Sequence, residues 1–257
     1  MSSSTEKAET SIVIPAFNEA HRLPRTLEDL TRHLKGQPHR YELVLSDDGS
    51  SDGTVAVFER CAVALPTRVV RSPENRGKGH AVRLGMLAAT GAIRVMCDAD
   101  GSMPASELPR LLEPVRQRAT PIAIGSRYLD GRRANGQPAW RRAWSRFAHA
   151  IVRRTLVPGI HDTHCGYKAF TAEAAAAIFG RATIDGWAFD YEVLALAQRL
   201  GYPVLEVAVE WTDDRRSRVR AVRDFGRTVG EILRIRSNFR REIYRLEVTK
   251  APTPRAR

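Results

Sequence analysis

The first half of the sequence alternates apolar runs with amphipathic stretches, and most of the apolar runs end abruptly in a polar cluster. The apolar runs indicate strands at 11–16, 41–46, 68–71 and 93–97, and the stretches between them have helical spacing. This alternation predicts an α/β fold with a doubly wound, mainly parallel sheet and flanking helices. Ligands of such sheets bind outside the carboxyl ends of the strands. We therefore expect the polar clusters PAFNE, SDDGSSDGT, NRGKG and DADGS to converge on one crevice.

The cluster after the fourth strand carries two carboxylates one residue apart, Asp98 and Asp100. At the exposed end of a buried strand, such a pair can hold Mg²⁺ or Mn²⁺, which prefer oxygen ligands and often bridge to substrate phosphates. An isolated Asp-x-Asp can also cap the helix predicted after Pro104. Four clusters in register favour the metal-assisted diphosphate site. The P-loop and dinucleotide patterns are both missing from the sequence.

The net charge of +12 is unevenly distributed. Residues 131–160 contain seven arginines and no acidic residue, and residues 211–257 contain fourteen basic against six acidic residues. Such patches suit anionic lipid headgroups or nucleic acid, and composition does not choose between them. Three cysteines, an odd number, favour a reducing compartment over a disulfide framework.

The second half is more irregular. A strand at 121–125 ends beside Arg127, and the stretch 139–157 has one apolar stripe opposite arginines, which suits either a core-packed helix or a membrane interface. The run HDTHCGYK at 161–168 suggests zinc ligands, but the absence of a second ligand pair favours a structural turn. A helix at 187–200 and a strand at 203–211 follow. The last segment predicts a basic amphipathic helix, packed on the domain or lying on a bilayer, with one apolar stripe: Val222, Phe225, Val229, Ile232, Phe239, Ile243 and Leu246.

The predicted organisation has four parts. A disordered leader covers 1–10, and the α/β domain covers 11–212, with nucleotide binding in 11–102 and acceptor binding in 103–212. The basic amphipathic segment covers 213–247, and a disordered tail covers 248–257. No window approaches eighteen uninterrupted apolar residues, and the amino terminus shows no signal-peptide core. We expect a cytoplasmic protein, peripheral on the cytoplasmic face of a membrane.

The ordered motifs PAFNE, DDGSSDGT, NRGKG, DADGS, GSRY, DTHCGYKAF and WAFDYE resemble the family 2 glycosyltransferases of GT-A fold. Within that family they are similar to the dolichyl- or polyprenyl-phosphate glucosyltransferases, with the dolichyl-phosphate mannosyltransferases as near relatives. The resemblance covers roughly residues 10 to 240, and the ordered set is more specific than any single motif. It implies an inverting, metal-dependent transfer of a hexose from a nucleotide sugar to a polyprenyl phosphate.

The resemblance also implies site residues. The metal ligands would be Asp98 and Asp100, and Asp190 is a candidate base or positioning group, with a helix-terminal carboxylate as its alternative. The donor would contact Pro15, Phe17, Glu19, Asp48, Lys78, Asp98 and Ala99. The acceptor phosphate would contact Arg127, Arg141 and Ser145, and Arg218 would cover the donor. The glucosyl relatives carry an amino-terminal membrane helix that this sequence does not show, so lipid contact falls to the arginine-rich segments or to a partner.

Several alternatives remain at this point. The donor is UDP-glucose or GDP-mannose, and Ser102, where mannosyl relatives often have Gln, favours glucose. A family 2 transferase with a non-lipid acceptor would share the first half of the chain. A non-catalytic nucleic-acid-binding protein would explain the charge, but it leaves the acidic loops unexplained, so no nucleic-acid partner is expected. The sequence does not determine the oligomeric state.

Overall fold

The computed structural model describes residues 8–129, 155–211 and 221–245, with side chains from residue 226 in the last range. Seven strands in these ranges form one sheet. The strands are β1 (Thr10–Ala16), β2 (Tyr41–Asp47), β3 (Thr67–Arg71), β4 (Ile93–Met96), β5 (Ile122–Ser126), β6 (Lys168–Thr171) and β7 (Val204–Ala208). Their spatial order is β3-β2-β1-β4-β6-β5-β7. All neighbours pair in parallel except β6, which runs antiparallel between β4 and β5.

The described helices cover both faces of the sheet. They are α1 (Leu23–Leu34), α2 (Thr54–Cys61), α3 (Lys78–Ala88), α4 (Leu108–Arg116), α5 (Ala172–Phe179), α6 (Phe189–Arg199) and α7 (Ala221–Arg240). Successive side chains of a strand point to opposite faces. Accordingly Val13 packs with α3, α5 and α6, whereas Ile12 and Ile14 pack with α1, α2 and α4. The apolar runs predicted as strands are continuous because both faces of the central strands are buried.

Strand β6 is absent from the sequence-based description, which assigned 161–168 to a turn and recognised no strand between that turn and the helix predicted at 187–200. The strand is only four residues long and begins with a lysine. It therefore shows neither an alternation of apolar and polar residues nor a continuous apolar run that would indicate a strand. Its pairing partners, β4 and β5, lie far away in the sequence. The predicted class, an α/β fold with a mainly parallel sheet and flanking helices, is confirmed, and β6 makes the sheet a mixed one.

Helix α7 packs on the domain with a face that coincides only partly with the predicted apolar stripe. Ile235 is fully buried in the core and Ile232 and Phe239 pack against it, whereas Val229 and Ile243 are 40% and 50% exposed. Helix α7 ends at Arg240, and the following turn returns the chain to the domain, where Tyr244 is buried. Residues 139–154 of the predicted helix at 139–157 lie outside the described residues, and so do Arg141, Ser145 and Arg218.

Candidate active site

The two predicted metal ligands follow β4 at the edge where the parallel strands end. The hydroxyl of Thr26 donates to the Ala99 carbonyl at 2.8 Å, and the Ser102 N–H donates to Asp100 Oδ1 at 2.9 Å. The backbone of Gly166 lies close to the Asp98 carboxylate, since a Cβ on this glycine would be only 2.7 Å from Asp98 Oδ2. These contacts fix the DADGS loop, and they leave some of its carboxylate oxygens without a hydrogen bond.

Lys78, the first residue of α3, lies against the first of these carboxylates. Its Nζ is 2.8 Å from Asp98 Oδ1, and the two groups form an ion pair. This buried oxygen accepts no well-aligned hydrogen bond from any described residue. The rings of Trp187 and Phe189 lie 5.3 and 6.0 Å from the ammonium. Burial acts to lower the pKa of Lys78, but Asp98 and other nearby carboxylates outweigh it and raise the pKa above its usual value. Lys78 is therefore a charged partner of Asp98.

Asp190 forms a buried ion pair behind Lys78. Its Oδ1 is 2.6 Å from Lys168 Nζ, which also donates to the Cys165 carbonyl at 2.7 Å. Lys168 is 1% exposed and Asp190 is 3% exposed. Burial raises the pKa of Asp190, and the nearby Lys168 and Lys78 offset only part of that rise. The structure thus brings the predicted Asp190 into the electrostatic field of the Asp98 cluster.

The loop NRGKG is tied to the end of β2 by Asp48. Asp48 Oδ2 accepts the N–H groups of Arg76 and Gly77 at 3.0 and 2.7 Å, and Oδ1 lies 3.1 Å from His80 Nδ1. The carboxylate is 2% exposed. In the structure Asp48 therefore positions the start of α3, and its predicted contact with the nucleotide stays a prediction.

The PAFNE cluster begins inside β1 and leaves the sheet at Phe17, whose side chain is 40% exposed. Pro15 is buried in the strand. The Glu19 N–H donates to Thr54 Oγ1 at 2.9 Å, and Arg22 Nε donates to Glu19 Oε2 at 2.6 Å. Phe17 is the most exposed residue of the cluster, and its ring is a suitable surface for stacking a nucleotide base.

Arg127, the predicted phosphate ligand, follows β5 and is held by Asp162. Its backbone N–H and Nε–H donate to Asp162 Oδ2 at 3.0 and 2.7 Å, and Nη2 donates to Oδ1 at 2.9 Å. The guanidinium also lies 5.4 Å from the ring of Trp211. Burial raises the pKa of Asp162, but the hydrogen bonds and charge of Arg127 outweigh it and hold the pKa below its ordinary value. A contact of Arg127 with a substrate phosphate stays a prediction.

The predicted cation site has two protein carboxylates. Within 8–129, 155–211 and 221–245, no group of three or more His, Cys, Asp or Glu side chains could hold a metal ion. The buried Asp98 Oδ1 and the oxygen donor set nevertheless suit a hard divalent cation, whose remaining ligands would come from phosphates and water. The residues suggested for zinc make other contacts, because His161 Nδ1 lies 2.7 Å from Glu206 Oε2 and Cys165 packs on Met103.

Two contributors to the site were missed in the sequence. Lys168 lies in the short strand β6, which the sequence pattern does not indicate. A lysine flanked by the apolar residues Tyr167 and Phe170 is nevertheless unusual in a core, and this signal could have identified it. Asp185 accepts hydrogen bonds from Arg76 and Arg83 of the NRGKG region at 2.8 Å each. That pairing joins residues about one hundred positions apart, so no local pattern indicates it.

The family described as glycosyl transferase family 2 matches residues 11–179. The chain belongs to this family. It is 33% identical to the dolichyl-phosphate beta-glucosyltransferase of Dictyostelium discoideum over 92% of this chain and 76% of that protein. It is 38% identical to the Drosophila melanogaster enzyme of the same name over 80% and 67% of the two chains. Identity to the Homo sapiens enzyme is 33% over 93% and 78%. The family predicted from the ordered motifs, and the similarity to its glucosyl branch, are confirmed.

Solved structures share the fold. Glucosyl-3-phosphoglycerate synthase from Mycobacterium tuberculosis, in complex with Mn²⁺ and UDP-glucose, superposes with a TM-score of 0.64 and 19% identity over 88% of this chain and 78% of that one. Mannosyl-3-phosphoglycerate synthase from Rubrobacter xylanophilus gives 0.65 and 17% over 95% and 78%. The family 2 transferase therefore has a GT-A-like α/β fold.

Proposed function

We propose that this hexosyltransferase moves glucose from UDP-glucose to dolichyl phosphate or a related polyprenyl phosphate. The observation that carries the proposal is the cluster of Asp98, Asp100 and Lys78 at the ligand-binding edge of a family 2 transferase fold. The similarity to dolichyl-phosphate beta-glucosyltransferases along most of the chain supports the choice of glucose and of a lipid acceptor.

Asp98 and Asp100 would hold Mg²⁺ or Mn²⁺ at this edge. A bound cation would supply positive charge to the nucleotide diphosphate as it departs. Lys78 would add a second positive charge to the diphosphate, since its ammonium lies beside Asp98. Together these residues would stabilise a leaving group that departs without needing a proton.

The acceptor side follows from charge. A phosphate monoester is already anionic near neutral pH, so it needs alignment more than deprotonation. Arg127, fixed by Asp162, would orient that phosphate together with Arg141 and Ser145, and Arg218 would cover the donor. Asp190 would position the reacting groups through the field that it shares with Lys78, or serve as a base.

The stereochemistry is that of a single displacement. UDP-glucose carries its sugar in an α linkage, and the relatives are named for a β product. One in-line attack by the acceptor phosphate on the anomeric carbon, with departure of UDP, inverts that carbon and converts the α-linked donor into a β-linked product. No covalent intermediate on the protein is required.

The donor and acceptor can be tested together with the purified full chain. Radiolabelled UDP-glucose or GDP-mannose would be incubated with Mg²⁺ or Mn²⁺ and a short polyprenyl phosphate, and the product extracted into organic solvent. We expect organic-soluble label from UDP-glucose only, and only when the lipid phosphate is present. Label from GDP-mannose would establish the mannosyl alternative, and a water-soluble product formed without lipid would establish a non-lipid acceptor.

A further inference from the structure

The ammonium of Lys78 lies beside a carboxylate oxygen that a cation on Asp98 would also use. Its Nζ is 2.8 Å from Asp98 Oδ1, while the other oxygen of that carboxylate faces Gly166. A divalent cation also binds carboxylate oxygens at close range. Two positive groups cannot occupy the same side of one oxygen, because they exclude and repel each other.

The backbone of Lys78 is fixed, but its side chain is not fully enclosed. A Cβ on Gly77 or Gly79 would lie 2.4 Å from the carbonyl oxygen of Asp185 or Ile184, so the start of α3 is pressed against the 184–186 loop. The side chain itself is 22% exposed. A lysine carries its charge on a flexible four-carbon stem, so the ammonium can leave Asp98 without any movement of the helix.

The protein alone offers a cation few ligands. Asp98 and Asp100 are two carboxylates, and one oxygen of Asp100 already accepts the Ser102 N–H. Within the part of the chain that the structure describes, no third acidic, His or Cys side chain completes a metal-binding group. The phosphate oxygens of the donor would supply the missing ligands and, at the same time, an alternative anionic partner for Lys78.

We infer that Lys78 competes with the divalent cation for Asp98, so that the cation and the nucleotide diphosphate load onto the protein together. This inference rests on the metal and donor site of the proposed function. Lys78 then acts as a positioning residue that excludes the cation until a diphosphate draws its ammonium away. The coupling is reciprocal, so the cation strengthens nucleotide binding by the same factor by which the nucleotide strengthens cation binding.

The test measures cation binding directly and needs no turnover. Equilibrium dialysis with radioactive Mn²⁺, with and without UDP, would compare the wild-type full chain with Lys78→Met and Lys78→Gln. Lys35→Met is the matched control, because Lys35 is exposed and its replacement removes the same charge. Thermal unfolding would verify that each variant is folded.

We expect both Lys78 variants to bind Mn²⁺ about tenfold more tightly than wild type without UDP, and the enhancement by UDP to shrink by a similar factor, within the usual range of such couplings. Lys35→Met should behave as wild type. Equal or weaker Mn²⁺ binding by folded Lys78 variants would overturn the inference alone. If wild type fails to bind Mn²⁺ even with UDP, the metal site of the proposed function fails as well.

Discussion

The residues around Asp98 form a cluster of alternating charges in which each buried group depends on its partner. Lys168 and Asp190 form the most enclosed pair, with side chains only 1% and 5% exposed. Breaking such a pair by removing one member is more costly than replacing both, because it leaves a buried charge without compensation.

We therefore predict that Asp190→Asn lowers the free energy of unfolding by about 3–5 kcal/mol. The double variant Lys168→Met with Asp190→Asn should recover part of that loss, because neither charge is then left buried. Urea denaturation of the wild type, the single variant and the double variant measures both effects. A single variant as stable as wild type would show that the pair is not an energetic unit.

The Arg127–Asp162 pair predicts a pH dependence. Its sign follows from the lowered pKa of Asp162: the stabilisation is present above the ordinary Asp pKa of about 3.9 and is lost as pH falls through the lower folded value. Asp162→Asn should therefore be less stable than wild type at neutral pH, and the difference should shrink below about pH 4. Urea denaturation across this range tests it, and a difference that is constant with pH would contradict it.

At the scale of elements, the site depends on how α3 meets the loop before α6. The loop is held from the other side by α7, since Glu231 Oε2 accepts the Ala188 N–H at 3.0 Å. Tyr244, in the turn after α7, donates to Glu192 of α6 at 2.7 Å. A Cβ on Gly186 would overlap the Glu231 carboxylate. The helix near the end of the chain thus supports the same loop against which Lys78 is presented.

The closeness of α3 to this loop can be tested at Gly79. An added methyl group would lie 2.4 Å from the Ile184 carbonyl oxygen and 2.7 Å from Phe189 Cβ. Gly79→Ala should lower the free energy of unfolding by about 1–3 kcal/mol, as overpacking does. Gly230→Ala in α7 is the control, with nothing within 4 Å of its Cβ, and should be neutral or stabilising by up to about 1 kcal/mol. Equal thermal stability of the two variants would refute the close contact.

The parts of the fold that could be predicted are those that a short stretch of sequence determines. Each central parallel strand is a continuous apolar run and ends in its own polar cluster, so Asp48, Asp98 and Arg127 could be placed at one edge from the sequence. Lys168 and Asp185 could not, because β6 is a short antiparallel strand and Asp185 joins α3 from about one hundred residues away. The stripe predicted for α7 contains Ile232 and Phe239, which pack on the core, but it leaves out the buried Ile235, which arginines flank in the sequence.

At the scale of the whole molecule, charge is the feature that the α/β domain alone does not explain. The net charge is +12, and the basic residues concentrate in two segments. In the described part of α7 and the turn after it, apolar side chains such as Val229, Leu233 and Ile243 are 40%, 58% and 50% exposed. Among the described helices none is long and apolar enough to cross a membrane. From the basic segments and these exposed apolar side chains, we propose peripheral attachment to the cytoplasmic face of an anionic membrane.

Vesicle flotation tests this attachment. Each Lys or Arg close to an anionic bilayer contributes about 1 kcal/mol, and salt screens that attraction. The full chain should therefore float with vesicles that contain phosphatidylserine, and should float less with neutral vesicles or in high salt. If the amount of protein that floats does not change with either lipid charge or salt concentration, the attachment is not electrostatic.

The central claim is that the Asp98–Asp100 pair carries the transfer reaction, and the most direct measurement is the initial rate of organic-soluble glucosyl product in Asp100→Asn. Glu28→Gln is the control, since it makes the same charge change on the exposed face of α1. We expect Asp100→Asn to lose at least about two orders of magnitude in rate while remaining folded, and Glu28→Gln to match wild type. A folded Asp100→Asn protein with the wild-type rate would contradict the account.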